Sequence, residues 1–184
     1  DLKDYSRSAE ILTAMRSNES RVSGYLEQNQ RVADKLETQD FALGQFSDSI
    51  SATREAIAQA LASGRGDTLM LELEGNLRTG VQSLNTRYGG KYLFAGGQID
   101  TQPVSVNAMS DLQSPAVVSS FFHNDEFVTQ AKVDDATTVS TGLLADDIGT
   151  DMLTAYQSIA DFNAGANGPF NGELTDAQRT FLEG

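Results

Sequence analysis

The sequence predicts an α+β chain: an elongated antiparallel helical rod of a long helix, a second helix and a C-terminal helix, with a small inserted β-rich domain. Three observations carry this. Residues 1–102 contain no proline, the three prolines being Pro103, Pro115 and Pro169. Proline interrupts helices because it removes a backbone donor and clashes with the preceding turn, so its absence permits long ones. Apolar residues from about 4 to 63 recur in steps of three and four, the period of one helix face. Residues 103–142 instead carry short β-branched and aromatic runs, as strands do. The division read from these features is a discontinuous helical domain, 1–98 with 143–184, and a β-rich insertion, 99–142.

The first helix follows the row Ile11, Met15, Val22, Leu26, Ala33, Leu36, Leu43, Phe46, Ile50, Ile57, Leu61. From Leu36 the spacing approximates a heptad seam with Gln39 and Thr53 substituted into it. Gly24 and Gly44 each cost roughly 1 kcal/mol against Ala in a helix interior, so the reading is one very long helix, uninterrupted or broken near 20–24. Forty helical residues span about 60 Å, which implies a rod. Gly64 and Gly66 end this helix, and Asp67 is placed to cap the next one through its carboxylate. Leu69, Leu73, Leu77, Val81, Leu84 and Tyr88 form its stripe, and the short connection makes the two helices antiparallel neighbours.

Two glycine pairs, at 89–90 and 96–97, bracket the apolar run 92–95, read as turn, short buried strand, turn. Strands are expected over 104–106 and 116–122, and in the alternation Phe127, Thr129, Ala131, Val133, with His123, Asn124 and Asp125 as the turn of a hairpin. Met152, Tyr156, Ile159 and Phe162 return to helical spacing. A loop over 163–172 leads to Thr175 and Gln178, which match a capping box.

Composition excludes several functions. The formal charge is −13, from 13 Lys+Arg against 26 Asp+Glu. Such a surface repels nucleic-acid phosphate and anionic lipid, so no nucleic-acid partner is expected. There is no cysteine, which removes disulfides, thiol catalysis and Cys-based zinc sites. No apolar run reaches the ~20 residues of a membrane span, so no membrane insertion is expected. The chain begins at Asp1 without Met and stops soon after a helix signal, and is read as a piece of a longer protein.

Two segments carry a family resemblance. LETQDFALGQFSDSISATREAI at 36–57, followed by the glycine-rich turn at 64–66, is similar to the end of the long rod helix of the flagellin family. NTRYGGKYLFAGG at 85–97 resembles the Asn-x-Arg-x-Gly-x-x-Tyr-(Leu/Ile)-Phe-(Ala/Ser)-Gly pattern of its hook–filament junction branch, whereas flagellins proper usually read Asn-x-x-x-Phe-Asn-Gly there. The resemblance implies a structural subunit joining hook to filament, with no catalytic residue and no cofactor. It implies neighbouring flagellar subunits (hook-associated proteins and flagellin) and an export chaperone as partners, and an extracellular location on the flagellum reached through the flagellar secretion channel. The terminal segments that assemble in this family are absent, so a monomer is expected in solution. Asn85, Arg87, Gly90, Tyr92, Phe94, Gly96 and Gly97 are the motif residues, with an architectural role tying the second helix to the insertion. A flagellin or minor filament subunit is the alternative within the class; a surface adhesin or glycan-binding module on the same scaffold is the alternative outside it.

Other candidates have plainer readings. Residues 65–67 spell Arg-Gly-Asp, which turn chemistry already explains. The glycines around Lys91 lack the first glycine and the Ser or Thr of a phosphate loop. Asp134, Asp135, Asp146 and Asp147 lack the spacing of a calcium loop. His123, the only histidine, has no companion for a zinc site. No metal site is expected.

Overall fold

The computed structural model describes residues 2–184. Residue 1, assigned above to the helical domain, lies outside them. Helix α1 runs Leu2–Ser63, 62 residues without interruption. No break occurs at 20–24, where a side chain on Gly24 would meet nothing within 4 Å. Helix α2 is Leu69–Leu84. The hairpin β1 (Arg87–Tyr88) and β2 (Lys91–Tyr92) follows. A second hairpin comprises β3 (Gln130–Lys132) and β4 (Thr138–Ser140). Helices α3 (Ala145–Ala164) and α4 (Asp176–Glu183) complete the order. The chain is therefore α+β, with helices predominating and two antiparallel two-stranded sheets.

The chain groups into two units. One comprises 1–37 and 130–141, the other 38–129 and 142–184. Residues 99–142 are thus shared between the two units. The strand expected over 116–122 does not form: Val118–Phe121 is a 3₁₀ turn, as is Met109–Leu112. The Ser120 hydroxyl donates to Val117 O at 2.6 Å, a local side-chain bond that favours a tight turn over an extended ladder. Of the strands expected over 104–106 and 116–122, an isolated bridge between Val104 and Phe122 remains.

In the larger unit the core joins Ala42, Phe46, Ala56 and Ala60 of α1 to the stripe Leu69, Leu73, Leu77, Val81 and Leu84 of α2, and to Met152, Leu153, Tyr156 and Ile159 of α3. The three helices meet at Gly80, where a Cβ would lie 2.8 Å from Met152 Sδ and 3.0 Å from Ser49 Oγ. Glycine is what allows that approach. The Thr53 and Tyr156 hydroxyls meet at 2.6 Å, and burial pushes the Tyr156 phenol up to about 12. Phe162 stacks on Phe170 and Phe181, with centroids 5.3 and 4.0 Å apart, which seats α4. The capping box at α4 is formed in both directions between Thr175 and Gln178.

The cap expected from Asp67 is absent. Thr68 stands at the N-cap of α2 without a side-chain cap bond. Arg65 takes the Asp67 carboxylate at 2.8 Å, and the other oxygen accepts the Gly172 N–H at 3.1 Å. Asp67 therefore fastens the α1–α2 turn to the loop before α4.

In the smaller unit, the β3–β4 hairpin lies against α1 through polar bonds. Tyr25 Oη donates to Asp135 Oδ1 at 2.8 Å, Gln28 Nε2 to Lys132 O at 3.0 Å and Asn29 Nδ2 to Val133 O at 3.2 Å. The apolar row that is buried at Phe46 and half-buried from Leu43 to Leu61 is exposed here at Ile11, Met15, Val22 and Leu26.

Candidate functional site

The motif residues at 85–97 form a clasp between the end of α2 and the start of α3. Asn85 is the C-cap of α2, its N–H donating to Val81 O at 3.0 Å and Gln82 O at 3.1 Å. Its side chain pairs with the backbone of Val104 in both directions: Nδ2 donates to Val104 O, and Oδ1 accepts Val104 N–H, each at 2.9 Å. Val104 is fully buried, so without Asn85 its N–H would be stranded away from water, while its carbonyl also accepts from Gln102 Nε2 at 2.8 Å. A primary amide suits this place because it carries a donor and an acceptor side by side, as a backbone partner does.

The chain then turns back on itself. Gly89 and Gly90 have φ of 57° and 80°, and two consecutive positive φ values make the tight turn whose twist suits a two-residue hairpin. Arg87 pairs with Tyr92 and Tyr88 with Lys91. The Arg87 guanidinium lies 4.2 Å from the Tyr92 ring centroid, a cation–π distance. Lys91 Nζ contacts Asp100 Oδ1 at 2.6 Å. Tyr92 N–H donates to Ile99 O at 2.8 Å, and Leu93 N–H to Thr86 O at 3.0 Å.

Phe94 carries the clasp into the core with no exposed surface. Its carbonyl accepts the N–H of Ala145 at 3.0 Å, the first residue of α3, which satisfies one of the amides a helix start leaves open. Ala95 bridges Leu144 beside it. Gly96, with φ of 65°, reverses the chain, and Gly97 N–H donates to Asp125 Oδ1 at 2.7 Å. The same oxygen accepts Phe127 N–H at 3.0 Å. All seven motif residues thus fall in one continuous feature. The run 92–95, expected as a strand, pairs as a ladder only at Tyr92.

Sequence reasoning missed the residues that the motif grips. Val104 and Ala145 act through their backbones, which residue identity does not disclose. Asp125 was legible in part, since an Asp bonding the N–H two residues on is a turn signal; its second partner, Gly97, lies 28 residues away.

The bonds from Gly97 and then Phe127 hold the Asp125 carboxyl below its ordinary range. Such a group adds stability that is present above the unfolded value of about 4 and is lost as pH falls through the lower folded value. Asp161, held down by Ser114, and Asp134, held down by Ala136 and Thr137, act in the same direction. Asp125→Asn is therefore expected to lower the thermal midpoint at pH 7 and to flatten its fall below about pH 4. Melting curves across pH 7 to 2.5 check this, and parallel profiles for the two proteins would contradict it.

Three of the four acids considered for calcium have carboxylates engaged by protein partners. Asp134 accepts Ala136 N–H at 2.7 Å and Thr137 N–H at 2.8 Å, Asp135 binds Tyr25, and Asp146 accepts from Asn124 at 2.7 Å. Among the described residues no group of three or more His, Asp or Glu is placed to hold a metal ion, and no helix is long and apolar enough to cross a membrane. His123 is exposed, its backbone N–H donating to Pro103 O at 2.9 Å.

No family model matches the chain, and no curated protein matches it. Solved structures do. A flagellar hook-associated protein from Vibrio parahaemolyticus superposes with a TM-score of 0.70 at 17% identity, over 96% of this chain and 75% of that one. The FlgL protein of Bacillus cereus gives 0.63 at 15% identity, over 94% and 80%. The FlgL protein of Xanthomonas campestris gives 0.59 at 23% identity, over 74% and 42%. At these identities the likeness establishes the fold: this chain is built like the flagellar hook-associated structures.

Proposed function

We propose that this chain is a structural subunit of the bacterial flagellum, placed where the hook meets the filament. The observation that carries the reading is the likeness to a hook-associated protein over 96% of the chain. The run at 85–97 supports it independently, because its residue pattern resembles the junction branch rather than flagellin. The clasp those residues form has an architectural use. It locks the end of α2, the buried segment at Val104 and the start of α3 to one another, so force applied to one element passes to the others without a loose joint.

In this role the partners are neighbouring flagellar subunits, met head-to-tail on a helical lattice, and an export chaperone before assembly. The location is the extracellular flagellum, reached through the flagellar secretion channel. No reaction is assigned, and the motif residues act by holding shape. Immunogold labelling of intact flagella with antibody against this chain tests the reading. A single band at the hook–filament joint is the expected result. Labelling along the filament would move the chain to the filament subunits, and flagella without label would overturn the flagellar role.

A further inference from the structure

The loop before α4 holds two Asn-Gly pairs, Asn167-Gly168 and Asn171-Gly172. Asparagine followed by glycine is the pair most prone to lose its side-chain ammonia, because glycine carries no side chain to hinder ring closure. The fold treats the two pairs differently. Gly168 is packed against the backbone of Asn163, where an added Cβ would overlap the Asn163 carbonyl. Its N–H donates to Gly165 O at 3.1 Å, and Asn167 O accepts from Gln178 Nε2 at 2.9 Å. The second pair faces open space: Asn171 is exposed, and a Cβ on Gly172 would meet nothing within 4 Å. The contact at its reacting atom is the Gly172 N–H donated to Asp67 Oδ1 at 3.1 Å.

We propose that Asn171 is a site of spontaneous deamidation and that Asp67 sets its rate by holding the amide proton of Gly172. The reaction needs only water. The Gly172 nitrogen gives up its proton and attacks Cγ of Asn171. The bond from Cγ to the side-chain nitrogen breaks, and that nitrogen leaves as ammonia with the proton. A five-membered succinimide then joins residues 171 and 172. Water adds across one of the two ring C–N bonds, its hydroxyl to carbon and its hydrogen to nitrogen. Opening at Cγ gives aspartate. Opening at the main-chain carbonyl gives isoaspartate, whose backbone runs through the side-chain carbon and is one atom longer. Nothing is oxidised or reduced.

Asp67 opposes the first step in two ways. Arg65, at 2.8 Å, holds the Asp67 carboxyl below its ordinary range, so it is an anion at neutral pH. An anion accepting the Gly172 N–H makes a charge-assisted bond that must break before the nitrogen attacks. The same anion repels the negative charge that the nitrogen gains on losing its proton. The flanking backbone is pinned as well. Phe170 N–H donates to Asn163 Oδ1 at 2.9 Å, and Gly172 O accepts Gly66 N–H at 2.9 Å. The position gives the reaction a structural consequence. The α1–α2 turn meets this loop through the Gly66–Gly172 bond and through Leu174 N–H to Gly64 O at 2.8 Å. A longer backbone at 171, or a new negative charge on the segment that Asp67 binds, disturbs that join, so conversion loosens the loop that leads into α4.

The test ages the wild-type chain, Asp67→Ala and Arg65→Ala in warm, mildly alkaline buffer. Mass spectrometry of the digests reads the amide-to-acid change at each asparagine, and isoaspartyl methyltransferase labelling counts isoaspartate. The wild type is expected to convert slowly at Asn171, and Asp67→Ala about tenfold faster, the factor that a hydrogen bond to a charged group is worth. Arg65→Ala leaves the carboxylate on the Gly172 N–H and is expected to convert at close to the wild-type rate. Asn167 is the internal reference, expected to stay unconverted in all three. Asn171→Gln, whose longer side chain does not readily close a five-membered ring, should give no product at 171. A rate at Asn171 unchanged by Asp67→Ala, or faster conversion at Asn167 than at Asn171, would overturn the proposal. So would equal acceleration at both asparagines, which reports general loosening of the loop rather than release of the Gly172 proton.

Discussion

Phe94→Ala is expected to destabilise the chain by about 3–5 kcal/mol, the range for emptying a fully buried aromatic site. Phe94 has no exposed surface, and its flanking backbone is anchored on both sides: Leu93 N–H is held by Thr86 O, and the Phe94 carbonyl holds Ala145 N–H. The backbone cannot collapse into the space without surrendering those bonds, so the cavity persists, and persistence sets the cost near the upper end for such deletions. For a chain of this size each kcal/mol moves the thermal midpoint by roughly 2–4 °C, so the midpoint should fall by about 10 °C. Leu71→Ala is the control. Leu71 is 77% exposed on α2, and exposed substitutions usually stay within about 0.5 kcal/mol. A midpoint for Phe94→Ala no lower than that of Leu71→Ala would remove Phe94 from the core.

The helices were the legible part of this sequence. Regular spacing over more than ten turns, with no proline, leaves α1 little choice, and Gly24 does not interrupt it because neighbouring turns maintain the hydrogen-bond ladder on both sides. Periodicity reports a face, however, and not what covers it. The same spacing is buried at Phe46, half-buried at Leu43, Ile50, Ile57 and Leu61, and exposed at Ile11, Met15 and Leu26, the most buried face of α1 having shifted to Ala42, Ala56 and Ala60. The insertion was harder. Val117 and Val118 favour extended backbone, but the serines after them offer the backbone a local partner, and the tight turn wins. Asp67 had the right chemistry for a cap, yet Arg65, two residues away, and Gly172, distant in sequence, compete for the same carboxylate. The clasp was legible as a list of residues. Its partners were not, because Val104, Ala145 and Asp125 are reached only through tertiary folding.

Gly96→Ala is the most informative change within the clasp, with an expected cost of about 2–4 kcal/mol from two separable sources. The first is conformational. At φ of 65° an L side chain is strained, by roughly 1–2 kcal/mol. The second is steric. A Cβ at Gly96 would lie 2.7 Å from the backbone oxygen of Asp125 and 3.2 Å from that of Phe127, and backbone atoms cannot rotate aside as a side chain does. Relief requires residues 125–127 to shift, which lengthens the Gly97–Asp125 bond and returns Asp125 towards an ordinary carboxyl. Gly89→Ala isolates the first source, because Gly89 also has a positive φ, 57°, but its added Cβ would meet nothing within 4 Å. Gly89→Ala should therefore cost only the strain. The difference between the two variants in urea unfolding measures how firmly the Asp125 segment is held against the clasp. Combined with Asp125→Asn, Gly96→Ala should cost less than the sum of the two single changes, since the shift has already sacrificed the bond that Asn weakens. Equal costs for Gly96→Ala and Gly89→Ala would mean that the Asp125 segment yields freely, and that the clasp closes on Phe94 and Ala145 alone.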